Sequence, residues 1–531
     1  MTIFAALVCA ADMAVAALPA PQWISGDNGF TLLPGRPATV ALPDGVAPAD
    51  VEVRCLRPES RPASVPEREM PVLGYQLDIS RCKVPEMETL YRIVDILAGL
   101  GYNQLQFYTE HTFAYKNHET VWREASPVTP DEIRALDAYC AARGIELVPN
   151  QNSFGHMEHW LRHPEYNALA NHPHGGARVA RWGDRIMEQP STLNPCDDAS
   201  IKFVAGLYDE LLPCFRSKNV NVGCDETVEL EDADCGGRSA AAVREKGAAR
   251  VYLDFLKKIY AEVKARGHVM MFWGDIVLNH PELLPELPDD VICLNWGYEK
   301  TSPFEVRTAR LKAAGRKFIV CPGTSAWGSL SGRVENMLGN IDAAVAAGKR
   351  HGAMGCLLAD WGDKGHPQPW IVSLPGLVYL SHRVKGESLS KEQLAKEIDK
   401  ICGCKCGEAL LAYGEIYLKC GGRIGNSTEL FCALTDGDRY ERDSGVTDET
   451  LEAAFAHWRH AKELLDLDGA PDWVADDFAL LDLLYRAVEV KKKEPRKPNF
   501  RAMFEPEYRR LWLRQNRIGG LKDSLVWLFG R

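Results

Sequence analysis

Two adjacent carboxylates, Asp225 and Glu226, end a short β-branched run in the stretch Asn219–Leu230, NVNVGCDETVEL. Side-by-side acids where a strand stops suit acid/base work on a bond that needs a proton. The plainer alternative is a strand end capped by solvated acids, so the rest of the chain has to decide. Other apolar runs stop in the same manner. One ends in Tyr108-Thr109-Glu110-His111, another in Asn150-Gln151-Asn152-Ser153-Phe154-Gly155-His156. Later ones end in Trp273-Gly274-Asp275, Asn295-Trp296-Gly297-Tyr298-Glu299, Ser325-Ala326-Trp327 and Asp360-Trp361-Gly362-Asp363.

Trp273, Trp296, Trp327 and Trp361 thus stand after four different strands, with acids and amides between them. One tryptophan alone would read as core packing. Four at the same ends read as the walls of a pocket for a sugar ring, which has apolar faces and hydroxyls at its edge. A metal site is the rival reading, because His156, His159 and His163 fall close together in GHMEHWLRH. The segment has no H-E-x-x-H pattern, so hydrogen-bonding or structural histidines are expected there. No metal and no organic cofactor is expected.

The elements that must position these residues are a repeated strand, loop and helix. Strands are expected at Val72–Ile79, Asn103–Tyr108, Glu146–Asn150, Val220–Gly223, Val269–Trp273, Val291–Trp296, Phe318–Pro322 and Gly355–Asp360. Helices are expected at Met87–Gly99, Pro130–Arg143, Val251–Ala265, Pro303–Ala314 and Glu335–Ala347. The second of these starts Thr129-Pro130-Asp131-Glu132, a cap followed by proline in the first turn. Eight strand-plus-crossover units make the fold class α/β, a closed (β/α)8 (TIM) barrel over 69–380 with its chemistry at the strand C-termini. A small β-containing module is expected at 22–68. An α-helical C-terminal region is expected over 381–531, with helices at Lys391–Ile401, Gly407–Cys420, Asp448–Leu467, Trp473–Lys491 and Glu507–Leu528.

The chain has 531 residues, 46% of them hydrophobic, enough for a large core. Its formal charge of −11 and lack of a basic tract argue against nucleic acid or an anionic membrane as partner. No apolar run reaches the ~20 residues of a membrane span. Residues 1–21 contain an apolar run, Ile3–Ala11, and an Ala14-Val15-Ala16 that resembles a cleavage site. No Lys or Arg precedes that run and Asp12 interrupts the segment, so a cytoplasmic location is favoured over export. Sixteen cysteines are read as thiols. Cys224, Cys293, Cys321 and Cys356 fall in predicted strands as small hydrophobes, and Cys402, Cys404 and Cys406 lack a second ligand pair at zinc spacing.

These motifs together resemble glycoside hydrolase family 20, the β-N-acetylhexosaminidases, and within it the hexosaminidase D-like branch. The matching pieces are LGYQLDISR, SPVTPDEIRALDAYCAARGIELVPNQNSFGHMEHWLRHPEY, the STLNP at Ser191–Pro195, NVGCDE, FWGD, LNWGYE and ADWGD, over about residues 70–380. The resemblance implies exo-acting, retaining removal of a terminal GlcNAc or GalNAc, with the substrate's own 2-acetamido oxygen as nucleophile. It implies Glu226 as acid/base, Asp225 as partner of the acetamido N–H and Tyr298 as the tyrosine that holds the acetamido oxygen. It further implies Trp273, Trp296, Trp327 and Trp361 as sugar walls, Asp363, Glu110 and Asn152 as polar contacts, and His156 as support for the acid pair. Neighbouring acids push their pKa values apart, which suits one protonated and one ionised group.

The chain departs from the family pattern at three places. Leu73 stands where an arginine usually begins strand one. Asn152 replaces an acid and Phe154 a proline before the Gly-His turn, and the strand-seven loop, Gly323 to Trp327, has no tyrosine. Two other functions were open on the residues alone: a glycosidase for sugars without the acetamido group, and a non-catalytic carbohydrate-binding barrel. The second would be expected to lack the acid pair.

Overall fold

Side chains on a strand alternate between its two faces, and here both faces are buried. The strands are β1 Val72–Asp78, β2 Gln104–Thr109, β3 Glu146–Gln151, β4 Asn219–Asn221, β5 Val269–Trp273, β6 Ile292–Trp296, β7 Lys317–Cys321 and β8 Gly355–Asp360. In the computed structural model they pair in parallel, in chain order, and close into one barrel through β8 against β1. Leu73, Tyr75 and Leu77, with Leu105, Phe107, Phe318 and Val320, join the large core under the surrounding helices. The intervening Met271, Trp273, Ile292, Leu294, Ile319 and Leu357 form a separate apolar cluster inside the barrel.

The interior is not uniform. Toward β1–β4 its alternate positions carry Gln76, Gln104, Gln106, Asn150 and Asn221, all buried. Gln106 Nε2 donates to Gln104 Oε1 at 2.9 Å, and Asn221 Nδ2 donates to Gln106 Oε1 at 3.0 Å. These three amides partner one another, whereas the side-chain polar atoms of Gln76 and Asn150 have no protein hydrogen-bond partner. Polar strand interiors therefore lead up to the acidic half of the rim, and apolar ones to its tryptophan half.

Crossover helices α1 Met87–Gly99, α2 Pro130–Ala142, α3 Asp198–Leu211, α4 Ala248–Ala265, α5 Phe304–Ala313, α6 Val334–His351 and α7 Leu374–Arg383 surround the strands. Thr129 caps α2 as its sequence suggests: its Oγ1 accepts from Glu132 N, and Glu132 Oε2 accepts from Thr129 N. The sequence reading places no helix between β3 and β4, yet α3 is there, capped by Asp197, whose side chain accepts from Ala199 N.

The C-terminal region is helical: α8 Lys391–Cys402, α9 Gly407–Tyr413, α10 Glu429–Thr435, α11 Asp448–Glu463, α12 Asp472–Lys493, α13 Phe500–Trp512 and α14 Leu521–Phe529. Two expected helices are broken. Gly407–Cys420 ends as a helix at Tyr413, and a 3-10 turn, Ile416–Lys419, follows it. Glu507–Leu528 divides into α13 and α14 around Gly519-Gly520. Gly520 has φ +75°, and a Cβ on it would lie 1.8 Å from the Cys82 carbonyl oxygen, so this break lets the chain press against the loop after β1. The thiols of Cys224, Cys293, Cys321 and Cys356 are buried, as are those of Cys402, Cys404 and Cys406.

The structure describes residues 2–5, 38–41, 70–179, 185–230, 236–421, 424–435 and 446–530. The chain divides into two units, Met1–Arg61 and Pro62–Arg531. In the first, Thr2–Ala5 pairs antiparallel with Ala38–Ala41. The rest of the signal-like 1–21 segment and of the expected 22–68 module lies outside the described residues. Among those residues no helix is long and apolar enough to cross a membrane.

Candidate active site

The acid pair follows β4 through a turn that few side chains tolerate. Gly223 has φ +67°, Cys224 +68° and Glu226 +49°. A Cβ on Gly223 would lie 1.6 Å from Asn152 Oδ1, so β3 and β4 meet at a point only glycine fits. The turn stays attached to β5, because Val222 N donates to the Met271 carbonyl at 2.8 Å and Trp273 N to the Gly223 carbonyl at 3.0 Å. Asp275 Oδ2 accepts from Glu226 N at 3.3 Å. Left-handed backbone at Cys224 and Glu226 is strain held by its surroundings, a common mark of a working site.

His156 sits across from the pair, itself at φ +54°. Its Nε2 is 3.3 Å from Asp225 Oδ2 and 3.6 Å from Glu226 Oε2. The preceding Gly155 packs so closely on this turn that a Cβ there would meet the Asp225 carbonyl oxygen at 2.4 Å. Burial pulls the imidazole toward its neutral form, but the Asp225 carboxylate beside it prevails and lifts His156 to about 10. Burial likewise pushes the Asp225 carboxyl up, and His156 together with Arg81 more than reverses that, leaving it below its usual value. The two therefore face each other as an ion pair at neutral pH.

Arg81, three residues beyond β1, links this pair to the rest of the rim. Its guanidinium lies 3.5 Å from His156 Nδ1, 3.2 Å from Asp78, 3.5 Å from Glu110 and 3.5 Å from Asp363. It also lies over the rings of Tyr108 and Trp361, at 4.7 and 4.9 Å from their centres. Burial pushes Glu110 up to about 7 against the opposing pull of Arg81. Tyr108 donates to Glu110 Oε1 at 2.8 Å, and Asn152 Nδ2 donates to the Tyr108 oxygen at 2.6 Å. Glu110 and Asn152 are thus buried behind Arg81, whereas Asp363 stays 40% exposed.

The tryptophans assemble as one wall. Trp273 and Trp361 lie 5.7 Å apart between ring centres. Tyr298 stacks on Trp296 at 5.1 Å, meets Trp327 edge-on at 5.0 Å and Trp361 at 6.5 Å. Burial pushes the Tyr298 hydroxyl well above its usual value, and the charges of Asp225 and Glu226 add to that shift, which puts this tyrosine within the field of the acid pair. Asp225 Oδ1 and the indole N–H groups of Trp273, Trp296 and Trp327 are buried without a protein hydrogen-bond partner. Buried polar atoms of this sort mark a surface shaped for a polar ligand.

A cation is less well served. Glu110, His111 and His159 each bring a ligand atom within 4.8 Å of the others. Their imidazoles stack at 3.7 Å with only 9° between ring planes, so the two in-plane lone pairs run parallel and do not converge on one ion.

Residues 73–328 match the family model described as glycosyl hydrolase family 20, catalytic domain. The match runs from β1 to the loop after β7. Over 223 residues it is 26% identical to Hexosaminidase D of Bos taurus, covering 40% of this chain and 59% of the bovine protein. Over 252 residues it is 25% identical to a Beta-hexosaminidase of Akkermansia muciniphila, covering 42% of this chain and 49% of that protein. The chain therefore spans less than two thirds of the length of these relatives. Among solved structures, Flavobacterium johnsoniae chitobiase superposes with a TM-score of 0.50 at 17% identity, covering 86% of this chain and 78% of that one, a likeness of fold.

Three residues of this site had no role assigned from sequence. Arg81 and Asp78 lie inside the motif LGYQLDISR, and Asp275 follows Trp273. The signal was available: polar residues directly after an apolar strand mark the rim, and β1 ends in Asp78-Ile79-Ser80-Arg81. Leu73 lies at the opposite end of β1 and is fully buried, so the arginine of this rim is supplied from the other end of the same strand.

Folding raises the pKa of His156 from an unfolded value of ~6.5. Its contribution to stability is complete below that pH and falls as pH rises toward about 10, at a slope of at most ~1.4 kcal/mol per pH unit. His156→Asn should remove this component, so that wild type and variant converge in denaturant midpoint as pH is raised from neutral. A gap that stays constant with pH would contradict the ion pair.

Proposed function

We propose that the chain is an exo-acting, retaining β-N-acetylhexosaminidase that removes a terminal GlcNAc or GalNAc with the help of the substrate's acetamido group. The observation that carries this reading is the unequal treatment of two adjacent acids. Asp225 is held ionised by His156 at 3.3 Å with one oxygen unpartnered, and Glu226 is the more exposed of the two beside it.

An ionised acid with a free lone pair suits acceptance of an amide N–H. Drawing on that N–H makes the acetamido oxygen a better nucleophile toward the anomeric carbon. As the oxygen attacks, the bond to the aglycone breaks, and Glu226 gives its proton to the leaving oxygen. The product on the enzyme is a cyclic oxazolinium, whose positive charge Asp225 balances. Glu226, now a carboxylate, takes a proton from water as the water oxygen bonds to the anomeric carbon, and the ring opens back to the acetamide. Two inversions leave the configuration retained. Tyr298 donates to the acetamido oxygen as charge develops, in a pocket whose indole walls exclude water. Trp273, Trp296, Trp327 and Trp361 cover the faces of the sugar. Arg81 and Asp363 meet its hydroxyls, with Glu110 and Asn152 behind them.

The proposal is supported by the family 20 domain match and by relatives named as hexosaminidases. Aryl β-N-acetylglucosaminide and aryl β-N-acetylgalactosaminide test it directly, with aryl β-glucoside as the control that lacks the internal nucleophile. Hydrolysis of at least one acetamido sugar, and none of the glucoside, is expected. Equal hydrolysis of the glucoside would favour an ordinary two-carboxylate glycosidase, and activity on none of them a binding barrel.

Glu226→Gln should lower turnover roughly 10²–10⁴-fold with a poor leaving group and much less with an acidic phenol, since only the former needs the proton. Losses of equal size on both would remove Glu226 from the role of acid.

Tyr298→Phe should lower turnover by about 10²-fold, the effect of losing one preorganised donor. Unchanged turnover would mean that another group holds the acetamido oxygen.

A further inference from the structure

The C-terminal helices α12, α13 and α14 touch the barrel behind the two loops that carry Arg81 and Trp361-Gly362-Asp363. Asp477 of α12 is buried, and its two oxygens point to different loops. Oδ2 accepts from Ile371 N at 3.0 Å, in the turn that closes the loop after β8. Oδ1 accepts from Gln515 Nε2 at 2.6 Å. The Gln515 carbonyl, just beyond α13, accepts from Glu86 N and Thr89 Oγ1, both at 3.0 Å, where the loop after β1 enters α1.

A second chain of bonds joins the same loops to each other. Lys83 Nζ donates to the Gln368 carbonyl at 2.7 Å, and Gln368 Nε2 donates to the Trp361 carbonyl at 3.0 Å. Asp78 then accepts from the backbone N–H of Ser80, Arg81 and Gly362 at 2.8, 2.9 and 3.0 Å. Between these groups lies a cavity of about 40 Å³, lined by Asp78, Lys83, Asp360, Gln368 and Asp477 among apolar side chains such as Leu77, Leu480 and Leu511. The junction is therefore held by directed hydrogen bonds as well as by apolar packing. Two steric contacts repeat the pattern. A Cβ on Gly365, in the β8 loop, would lie 2.9 Å from Trp527 Cβ of α14, and Gly520 presses on Cys82, the neighbour of Arg81.

We propose that Asp477 and Gln515 are positioning residues, through which the C-terminal helices set the β1 and β8 loops and so place Arg81, Trp361 and Asp363 around the sugar. The sugar as occupant rests on the function proposed above; the placement of the loops does not. Asp225 and Glu226 stand on the β4 turn, which this network reaches through Arg81 and its contact to His156 and not directly, so binding should respond more than the chemical step. Loosening the network should weaken substrate binding and leave the chemical step largely intact.

The test is Asp477→Asn and the exchange Asp477→Asn with Gln515→Glu, which reverses donor and acceptor across the same bond and keeps the total charge. In the single variant, hydrogen exchange at residues 78–83 and 361–368 should speed up, KM for the aryl hexosaminide should rise roughly tenfold, and turnover should change little. The double variant should restore both. Wild-type exchange and KM in a folded single variant, or no recovery in the double, would overturn the proposal. If the single variant does not fold, Lys83→Met removes the bond to the Gln368 carbonyl and the charge over the Trp512 ring, and wild-type behaviour there would overturn it equally. A wild-type protein that hydrolyses no hexosaminide would end the functional reading alone, because the exchange measurement needs no substrate.

Discussion

One charge pair, His156 against Asp225, governs the arrangement around it. Neither partner would be charged so far from water without the other, since burial acts against both. Their approach needs two glycines. Gly155 lets the β3 loop lie on the Asp225 carbonyl, and Gly223 lets Asn152 lie on the β4 turn. The left-handed backbone at His156, Cys224 and Glu226 is the conformational consequence. Such strain persists only where the scaffold is rigid, and the closed barrel supplies that rigidity.

The same pair explains why two acids adjacent in sequence can differ in chemistry. Asp225 is drawn toward the imidazolium and faces the interior. Glu226 is farther from it, is reached by the Asp275 carboxylate through its backbone N–H, and opens toward solvent. The indole wall stands opposite, with donors that no protein group satisfies. A charged acceptor, a second acid and a dry aromatic face are what an acetamido sugar would require of a catalyst that brings no nucleophile of its own.

Much of this was legible in the residues, and the limits have physical causes. The barrel could be read because most strands are followed by a helix and each ends in polar or aromatic residues, whatever its flanks. Asp225, Glu226, His156, Tyr298 and the four tryptophans do converge on one rim, because strand ends are adjacent in a closed barrel. Helix α3 was passed over because the long segment before it, rich in Pro, His and Gly, hides where periodicity begins. Arg81 was overlooked because its role depends on reach: a long side chain crosses the rim to Glu110, His156 and Asp363, which no local spacing encodes. Asn152 is fully buried and donates to Tyr108, since a buried amide takes whichever hydroxyl the neighbouring strand offers. The buttress formed by Asp477 and Gln515 is likewise a product of tertiary contact, linking residues some hundreds of positions from the loops they hold.

The central claim is that Asp225 acts as the ionised partner of the substrate's own nucleophile. The most direct measurement is calorimetric titration of wild type and Asp225→Asn with a thiazoline derived from the N-acetylhexosamine, a stable mimic of the oxazolinium. The account predicts that wild type binds it far more tightly than the parent sugar, as transition-state mimics do by ~10²-fold or more, and that Asp225→Asn loses most of that advantage. Equal binding of the thiazoline by the two proteins would contradict it.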